Sequence, residues 1–252
     1  MITSKKLSKF KSITHGFFDR QKGTSRGIYK SLNCGLGSHD NKKKVLKNLK
    51  IVCKKIKCSP KNLILLNQIH SSKYYFINKK NKINKKFKGD ALITNLNKVA
   101  IGILTADCVP ILIYDKKLKI VSAVHAGWRG IYKKIVVKVI KFFKKKGSNL
   151  NDLTVSIGPC ISQKSYEVKK DFITKFIKKD KKNKVFFKKV KNKTYFSLNK
   201  CVLYQLKKTG IKNIEIINKD TFTKDNNFFS ARRSLLRKEI DYGRNISVIM
   251  IN

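Results

Sequence analysis

GDALITNLNKVAIGILTADCVPILIYDKKLKIVSAVHAG, residues 89–127, packs four short apolar runs into one stretch. The runs are 89–95, 99–108, 110–115 and 119–127. Each is rich in Ile, Val and Leu, and they are parted by Gly, Pro and Lys-rich turns, which predicts four strands. Further strands are expected at 153–160 (LTVSIGPC), 213–217 (NIEII) and 245–251 (NISVIMI). Upstream, NLILLNQIH (62–70) reads as a buried strand that delivers His70 at its end. Around these, helical spacing of apolar residues predicts helices. Over 41–57 the stripe is Val45, Leu46, Leu49, Val52, Cys53 and Ile56; over 129–146 it is Ile131, Ile135, Val136, Val139, Ile140 and Phe143. Residues 168–179 and 197–209 also read as helical. Segment 15–37, with five glycines, reads as a loop-rich functional segment, and 78–88 as a solvated loop. The class is α/β with a mostly β centre, and no internal repeat is evident.

The chain has 252 residues and no Pro- or Ser-rich linker, so residues 1–252 are expected to form one domain. No apolar stretch is long enough for a signal-peptide core or a membrane span. Six cysteines (34, 53, 58, 108, 160, 201) lack framework spacing, which suggests reduced thiols and a cytoplasmic protein. The formal net charge is +46, yet it is spread along the whole chain and only seven of the 60 basic residues are arginine. Abundant Lys, Asn and Ile are what an AT-rich coding sequence favours. That bias accounts for the charge without a dedicated nucleic-acid partner, and no nucleic-acid-binding motif is present. A basic nucleic-acid-binding protein remains the non-enzymatic alternative. Against this background the arginines are informative, because Lys does not replace Arg where a planar bidentate fork is needed.

The chemistry concentrates in three segments. NQIH ends in His70, TADCVP carries Cys108 and AVHAGWRG carries His125. Two imidazoles and a thiolate leave the fourth position of a tetrahedral zinc open, the mark of a catalytic site. The separations match no local zinc-finger pattern, so the fold must bring the three together; the bland alternative is one core cysteine and two structural histidines. Asp107 is expected either to orient a ligand His or act as a general base, or else to cap a strand end. Arg129 in HAGWRG, with backbone N–H groups at a helix start, suggests an anion site. HGFFDR and SLNCG offer Arg20 and Asn33 to a pocket, while FFSARR and YGR add Arg232, Arg233 and Arg244. Cys160 in IGPC reads as a buried structural thiol. Cys108 with His125 also fits a hydrolase nucleophile and base acting on an amide such as a peptidoglycan peptide.

These blocks, taken in order from about residue 15 to the end, resemble a known family: HGFFDR, SLNCG, NQIH, GDALIT, TADCVPIL, AVHAGWRG, IGPCIS and FFSARR. It carries the older labels polyphenol oxidase and multicopper polyphenol oxidoreductase (laccase). It is now viewed as a purine nucleoside phosphorylase family with adenosine deaminase activity, and has also been called a peptidoglycan editing factor. The resemblance implies a four-layer α-β-β-α fold and a zinc held by His70, Cys108 and His125. It implies phosphate and nucleoside contacts from Arg20, Arg129 and Arg233. Ser71-Ser72, Ala231, Thr221 and Phe222 depart from the family's usual residues. Four histidines cannot supply the roughly ten that a multicopper oxidase uses, although one His2Cys copper and a copper-dependent phenol oxidation are chemically possible.

Overall fold

The computed structural model describes residues 1–78 and 87–252. Thirteen strands and six α-helices are present among them. The strands are β1 (Ile13–Phe17), β2 (Leu63–Ile64), β3 (Tyr74–Ile77), β4 (Ala91–Thr94), β5 (Ala100–Thr105), β6 (Val109–Asp115), β7 (Ile120–Ala126), β8 (Leu153–Ile157), β9 (Glu167–Val168), β10 (Phe187–Val190), β11 (Lys193–Phe196), β12 (Ile214–Ile216) and β13 (Asn245–Ile251). The helices are α1 (Lys42–Lys55), α2 (Trp128–Tyr132), α3 (Ile135–Lys145), α4 (Lys170–Lys179), α5 (Leu198–Lys208) and α6 (Ala231–Leu236). The four runs of residues 89–127 are β4 to β7, and 153–160, 213–217 and 245–251 hold β8, β12 and β13.

Two sheets stack face to face. One has the order β1-β13-β5-β2, the other β12-β8-β6-β7-β4-β3, and a small sheet β10-β11-β9 stands apart. Between the large sheets, Ile101 and Ile103 of β5 and Ile249 and Ile251 of β13 meet Leu112 of β6 and Val121 and Ala123 of β7. The outer face of the six-stranded sheet is covered by α3 and α5 through Val136, Val139, Phe143, Val202 and Leu206. The outer face of the four-stranded sheet is covered by Leu49 and Val52 of α1. This gives four layers, α-β-β-α. Every residue of β6, β7 and β13 is buried, because these strands have protein on both faces. That is why they read as near-continuous apolar runs rather than as alternating ones. No helix among the described residues is long and apolar enough to cross a membrane.

Four expectations change. The strand expected over 62–70 shrinks to Leu63–Ile64, because the chain leaves β5 there to cross between the sheets. The single helix expected over 129–146 is two, α2 and α3. They are broken at Lys134, which is left-handed (φ 56, ψ 45) with no Gly or Pro to mark it. Such a residue costs roughly 1–2 kcal/mol, and the bend lets Ile131 and the α3 stripe both face the sheet. Most of the loop expected over 78–88 lies outside the described residues; Phe87 within it is buried. The α1 stripe also loses Leu46, which is 50% exposed, and gains Asn48, which is fully buried.

Asn48 shows how the helix holds the glycine-rich segment. Its Oδ1 accepts from the Thr24 backbone N–H (2.8 Å) and hydroxyl (3.0 Å), and its Nδ2 donates to Ser25 Oγ (2.9 Å) and the Asn33 carbonyl (2.8 Å). Removing this amide orphans several buried groups at once. Asn48→Ala is therefore expected to cost about 3 kcal/mol, read as a lowered urea midpoint with an unchanged denaturant slope. A shift no larger than that of an exposed α1 lysine substitution would contradict this.

The N-terminus is strapped to the far edge of the large sheet. Ser4 donates its hydroxyl to Glu215 Oε2 of β12 (2.6 Å), and the Lys5 and Lys6 amides donate to the same carboxylate. The Ser4 amide donates to Nε2 of buried His15 (2.9 Å).

Candidate active site

The two sheets converge on one end where three loops meet. Past β2, the Gln68 side chain substitutes for a strand neighbour: its Nε2 donates to the Leu104 carbonyl and its Oε1 accepts from the Leu104 amide, both at 2.7 Å. Asn67 then pairs with the segment beside β4, donating to the Phe87 carbonyl (2.9 Å). His70 follows in a left-handed conformation (φ 53). Cys108 lies in the crossover from β5 to β6, and His125 lies on β7. The ligand atoms of His70, Cys108 and His125 all fall within 4.8 Å of one another, with Cys108 Sγ 3.9 Å from His70 Nε2. The imidazole rings meet edge to face with centroids 4.8 Å apart.

Asp90 organises the cluster. It is fully buried. Its Oδ1 accepts from His125 Nδ1 (2.8 Å) and from the His70 amide (3.0 Å), and its Oδ2 accepts from the Ser71 amide and hydroxyl, both at 2.6 Å. Its own carbonyl accepts from the His125 amide (2.8 Å). This assigns the proton of His125 to Nδ1 and leaves the Nε2 lone pair for a ligand, the usual arrangement behind a metal-binding histidine. Burial works to raise the Asp90 pKa, but the bonds from His125 and Ser71 outweigh it and hold it below the ordinary carboxylate value. Burial also opposes ionisation of Cys108, yet the adjacent imidazoles, His125 above all, bring its thiol down to about 7. Burial opposes charge on His125 too, but Cys108 and Asp90 raise it to about 9, so a metal binding at Nε2 would displace the proton held there.

The donor set fits a metal. Zinc bonds of about 2.0–2.3 Å in a tetrahedron place ligand atoms about 3.3–3.8 Å apart, so a small inward movement of these side chains closes the site. The fit depends on Gly127. A Cβ there would lie 2.9 Å from Cys108 Sγ and 2.9 Å from His70 Cδ2. Gly127→Ala is accordingly expected to weaken metal binding at least ~10-fold, measured by chelator competition. Wild-type affinity in that variant would show that the two side chains have room to move. Among the described residues this is the group of His, Cys and acidic side chains arranged to hold an ion.

Clefts open on both sides of the cluster, and His70 and Cys108 line both. The larger, about 260 Å³, is also bounded by Gln68, Thr105, Tyr242 and Arg244. The smaller, about 180 Å³, is also bounded by Asp107, Trp128, Arg129, Ile161 and Tyr166. Arg129 is exposed; its guanidinium lies 5.2 Å from the Trp128 ring and has no hydrogen bond or ion pair among the described residues. Because α2 has only five residues, the cation at this cleft is Arg129 rather than a helix dipole.

The structure parts the other candidates from the cluster. Asp107 (φ 85) orients neither histidine; that place belongs to Asp90. The Asp107 carboxylate instead accepts from Thr221 Oγ1 (2.7 Å), Ser230 Oγ (2.9 Å) and the Arg232 amide (2.7 Å), stapling the 221–232 segment beside Cys108. Burial raises its pKa, opposed by those bonds. Arg233 turns to the backbone: it donates to the carbonyls of Thr221 (3.0 Å), Phe222 (2.7 Å) and Phe228. Arg20 donates Nε to the Lys30 carbonyl, and its guanidinium lies 4.5 Å over the Phe229 ring. All four amide valences of Asn33 are used internally, by Ser38, Asp40, the Gly35 amide and the Arg244 amide. Asn33 thus sets the backbone of Arg244, the arginine that lines the larger cleft. Asp90 was legible only as an acid after a glycine; nothing in GDALIT marks its partners. Cys160 is buried, as expected.

A family model described as multi-copper polyphenol oxidoreductase laccase matches residues 14–252. A purine nucleoside phosphorylase of Bacteroides thetaiotaomicron is 32% identical over 264 aligned positions, covering 100% of this chain and 96% of its own. An adenosine deaminase of an unknown prokaryotic organism, RL5, is 38% identical over 89 residues, covering 35% of this chain and 34% of its own. The crystal structure of Bacillus licheniformis hypothetical protein YfiH superposes with a TM-score of 0.85 at 28% identity, covering 95% of this chain and 93% of that one.

Proposed function

This chain belongs to the multi-copper polyphenol oxidoreductase laccase family, and we propose that its His70–Cys108–His125 cluster is a zinc site serving phosphorolysis of purine nucleosides, with adenosine deamination as a second reaction in the same pocket. The substrates are adenosine, inosine, guanosine or methylthioadenosine with phosphate, and the products are the free base and ribose 1-phosphate, or its methylthio analogue. The observation that carries the reading is the placement of three soft and borderline donors at the junction of two clefts, each cleft with its own arginine. Relatives named for both activities support it.

In phosphorolysis a phosphate oxygen bonds to the anomeric carbon as the glycosidic C–N bond breaks and the purine leaves. The protein must hold a dianion against that carbon. Arg129, with no hydrogen bond or ion pair among the described residues, has the planar fork for the task. Trp128 and Tyr166 give the small cleft aromatic walls against which a purine packs. Asp90 keeps His125 in one tautomer and fixes the backbone of His70, so the donors are set before substrate arrives. A zinc held by His70, Cys108 and His125 would supply Lewis acidity and acidify water, the chemistry that deamination uses. A multicopper assembly does not fit, since of the four histidines only His70 and His125 belong to the cluster; His15 is committed to the Ser4 amide.

The test is metal analysis of the purified protein beside chromatography of adenosine reactions with and without phosphate. About one zinc per chain is expected, with adenine and ribose 1-phosphate formed only when phosphate is present and inosine formed in both conditions. Zinc-loaded protein that turns over no nucleoside would overturn the reading. The lowered thiol of Cys108 beside His125 also suits a Cys–His nucleophile. Iodoacetamide inactivation with a trapped acyl-enzyme on a peptidoglycan peptide would shift the assignment there.

A further inference from the structure

The small cleft does not end at Tyr166. Trp128 and Tyr166 also line a second, wider groove of about 680 Å³, so the two spaces adjoin across these two rings. The surface of the groove is mainly apolar: Val168 and Phe172 line it, and Leu235 and Leu236 of α6 stand at its edge, 71% and 67% exposed, while Glu167, Lys169, Asp171 and Lys175 border it with charge. Arg232, which also borders it, is not a free cation for a ligand: both of its terminal nitrogens donate to the Glu167 carbonyl at 3.1 Å, and its guanidinium lies 5.1 Å over the Tyr166 ring. Adjacent large leucines left this open mark a binding surface. Its position against the candidate active cleft, across Trp128 and Tyr166, points to the occupant it serves. A second copy is disfavoured, since two chains of formal charge +46 repel each other.

Building on the nucleoside reading above, we propose that this groove is a substrate subsite for a bulky apolar substituent, so that the enzyme prefers purine nucleosides carrying an aromatic or branched aliphatic group of six or more heavy atoms at N6 or C5′. The purine packs in the small cleft beside the metal cluster, and the substituent passes Trp128 and Tyr166 to rest on Leu235 and Leu236.

Trp128 is the only tryptophan in the chain and lies on the shared wall, so its fluorescence reports binding without turnover. Titrations of the zinc-loaded full chain with adenosine, N6-benzyladenosine and 5′-benzylthio-5′-deoxyadenosine are expected to give at least ~10-fold tighter binding of one benzyl probe than of adenosine, about the gain from burying one such group. The double variant Leu235→Asp/Leu236→Asp is expected to lose that preference while binding adenosine as before. Equal affinities for all three ligands would overturn the subsite. So would sedimentation showing a wild-type dimer that the double variant dissociates, because the leucines then face a second copy. The two levels separate cleanly. Turnover of adenosine without a benzyl preference sinks the subsite alone. A benzyl preference in fluorescence with no product from any nucleoside sinks the phosphorylase reading and leaves the binding groove standing.

Discussion

His125→Ala is expected to lower kcat/KM for adenosine with phosphate by at least ~10³-fold, a loss of about 4 kcal/mol in transition-state stabilisation. Two effects combine. The cluster loses one of three ligands, and the fully buried Asp90 carboxylate loses the Nδ1 donor at 2.8 Å that helps hold it ionised. The second effect also threatens the fold, so Cys108→Ser is the companion. It changes a sulfur donor to a hard, weakly acidic oxygen with little change in volume. The same loss is expected there, with a melting temperature close to that of the parent. Asp90→Asn should be milder, about 10–100-fold, because it weakens the orientation of His125 without removing a ligand. Steady-state kinetics beside metal analysis of each variant checks the order. Full activity in both His125→Ala and Cys108→Ser would remove the cluster from the reaction altogether.

Acidification from pH 6.5 to pH 4 is expected to cost the fold about 3 kcal/mol through His15 alone. Burial is the main cause that lowers its pKa, from 6.5 to about 4, only partly opposed by the Ser4 contact and by Glu215. Between those two values the unfolded chain holds a proton on this imidazole and the folded chain does not, so stability falls with pH across the window, and below pH 4 the loss is complete. The arithmetic is about 1.4 kcal/mol for each of about 2.5 pH units. Glu215 adds to the loss at the acidic end: burial opposes, but its bonds from Ser4, Lys5 and Lys6 hold its pKa below the ordinary value, and protonation undoes them. Urea titrations at pH 7 and pH 4 measure the total. In His15→Gln the difference should shrink by about 3 kcal/mol; an unchanged difference would mean that other groups carry the acid sensitivity.

Where burial is complete on both faces, the sequence is plain to read. VPILIYD, IVSAVHA and NISVIMI have protein above and below, so apolar residues dominate them without alternation and their few polar residues (Asp115, Ser122, His125, Asn245 and Ser247) are buried; β6, β7 and β13 emerge from composition alone. Where one face meets solvent and the exposed residues are lysine, the signal fades. The β10–β11 hairpin, FKKV and KTYF, has three and one exposed residues respectively and was not legible. The break at Lys134 left no trace either, because a left-handed lysine looks like any other lysine. The site divides in the same way. His70, Cys108 and His125 could be nominated by residue type, but 38 and 17 residues separate them, and no periodicity spans such gaps; the resemblance joined them and the geometry of the loops accounts for it. The arginines divide for a physical reason. Arg233 sets its fork on backbone carbonyls and Arg20 its Nε on one, while Arg129 lines the smaller cleft and Arg244 the larger. Asp90 and Asn33 carry roles defined only by what reaches them across the fold.

The three donors are also divided between the sheets. One comes from the chain leaving β5's side, one from the crossover linking the sheets, and one from the middle of the six-stranded sheet. A metal ion therefore has nothing to grip until the two halves of the sandwich have met. In contrast to a zinc finger, whose ion templates its own fold, an ion held by this cluster would be loaded only after the chain had assembled. The capacity to take up metal would consequently arrive late in refolding, and its appearance would serve as a clock for the moment the sandwich closes.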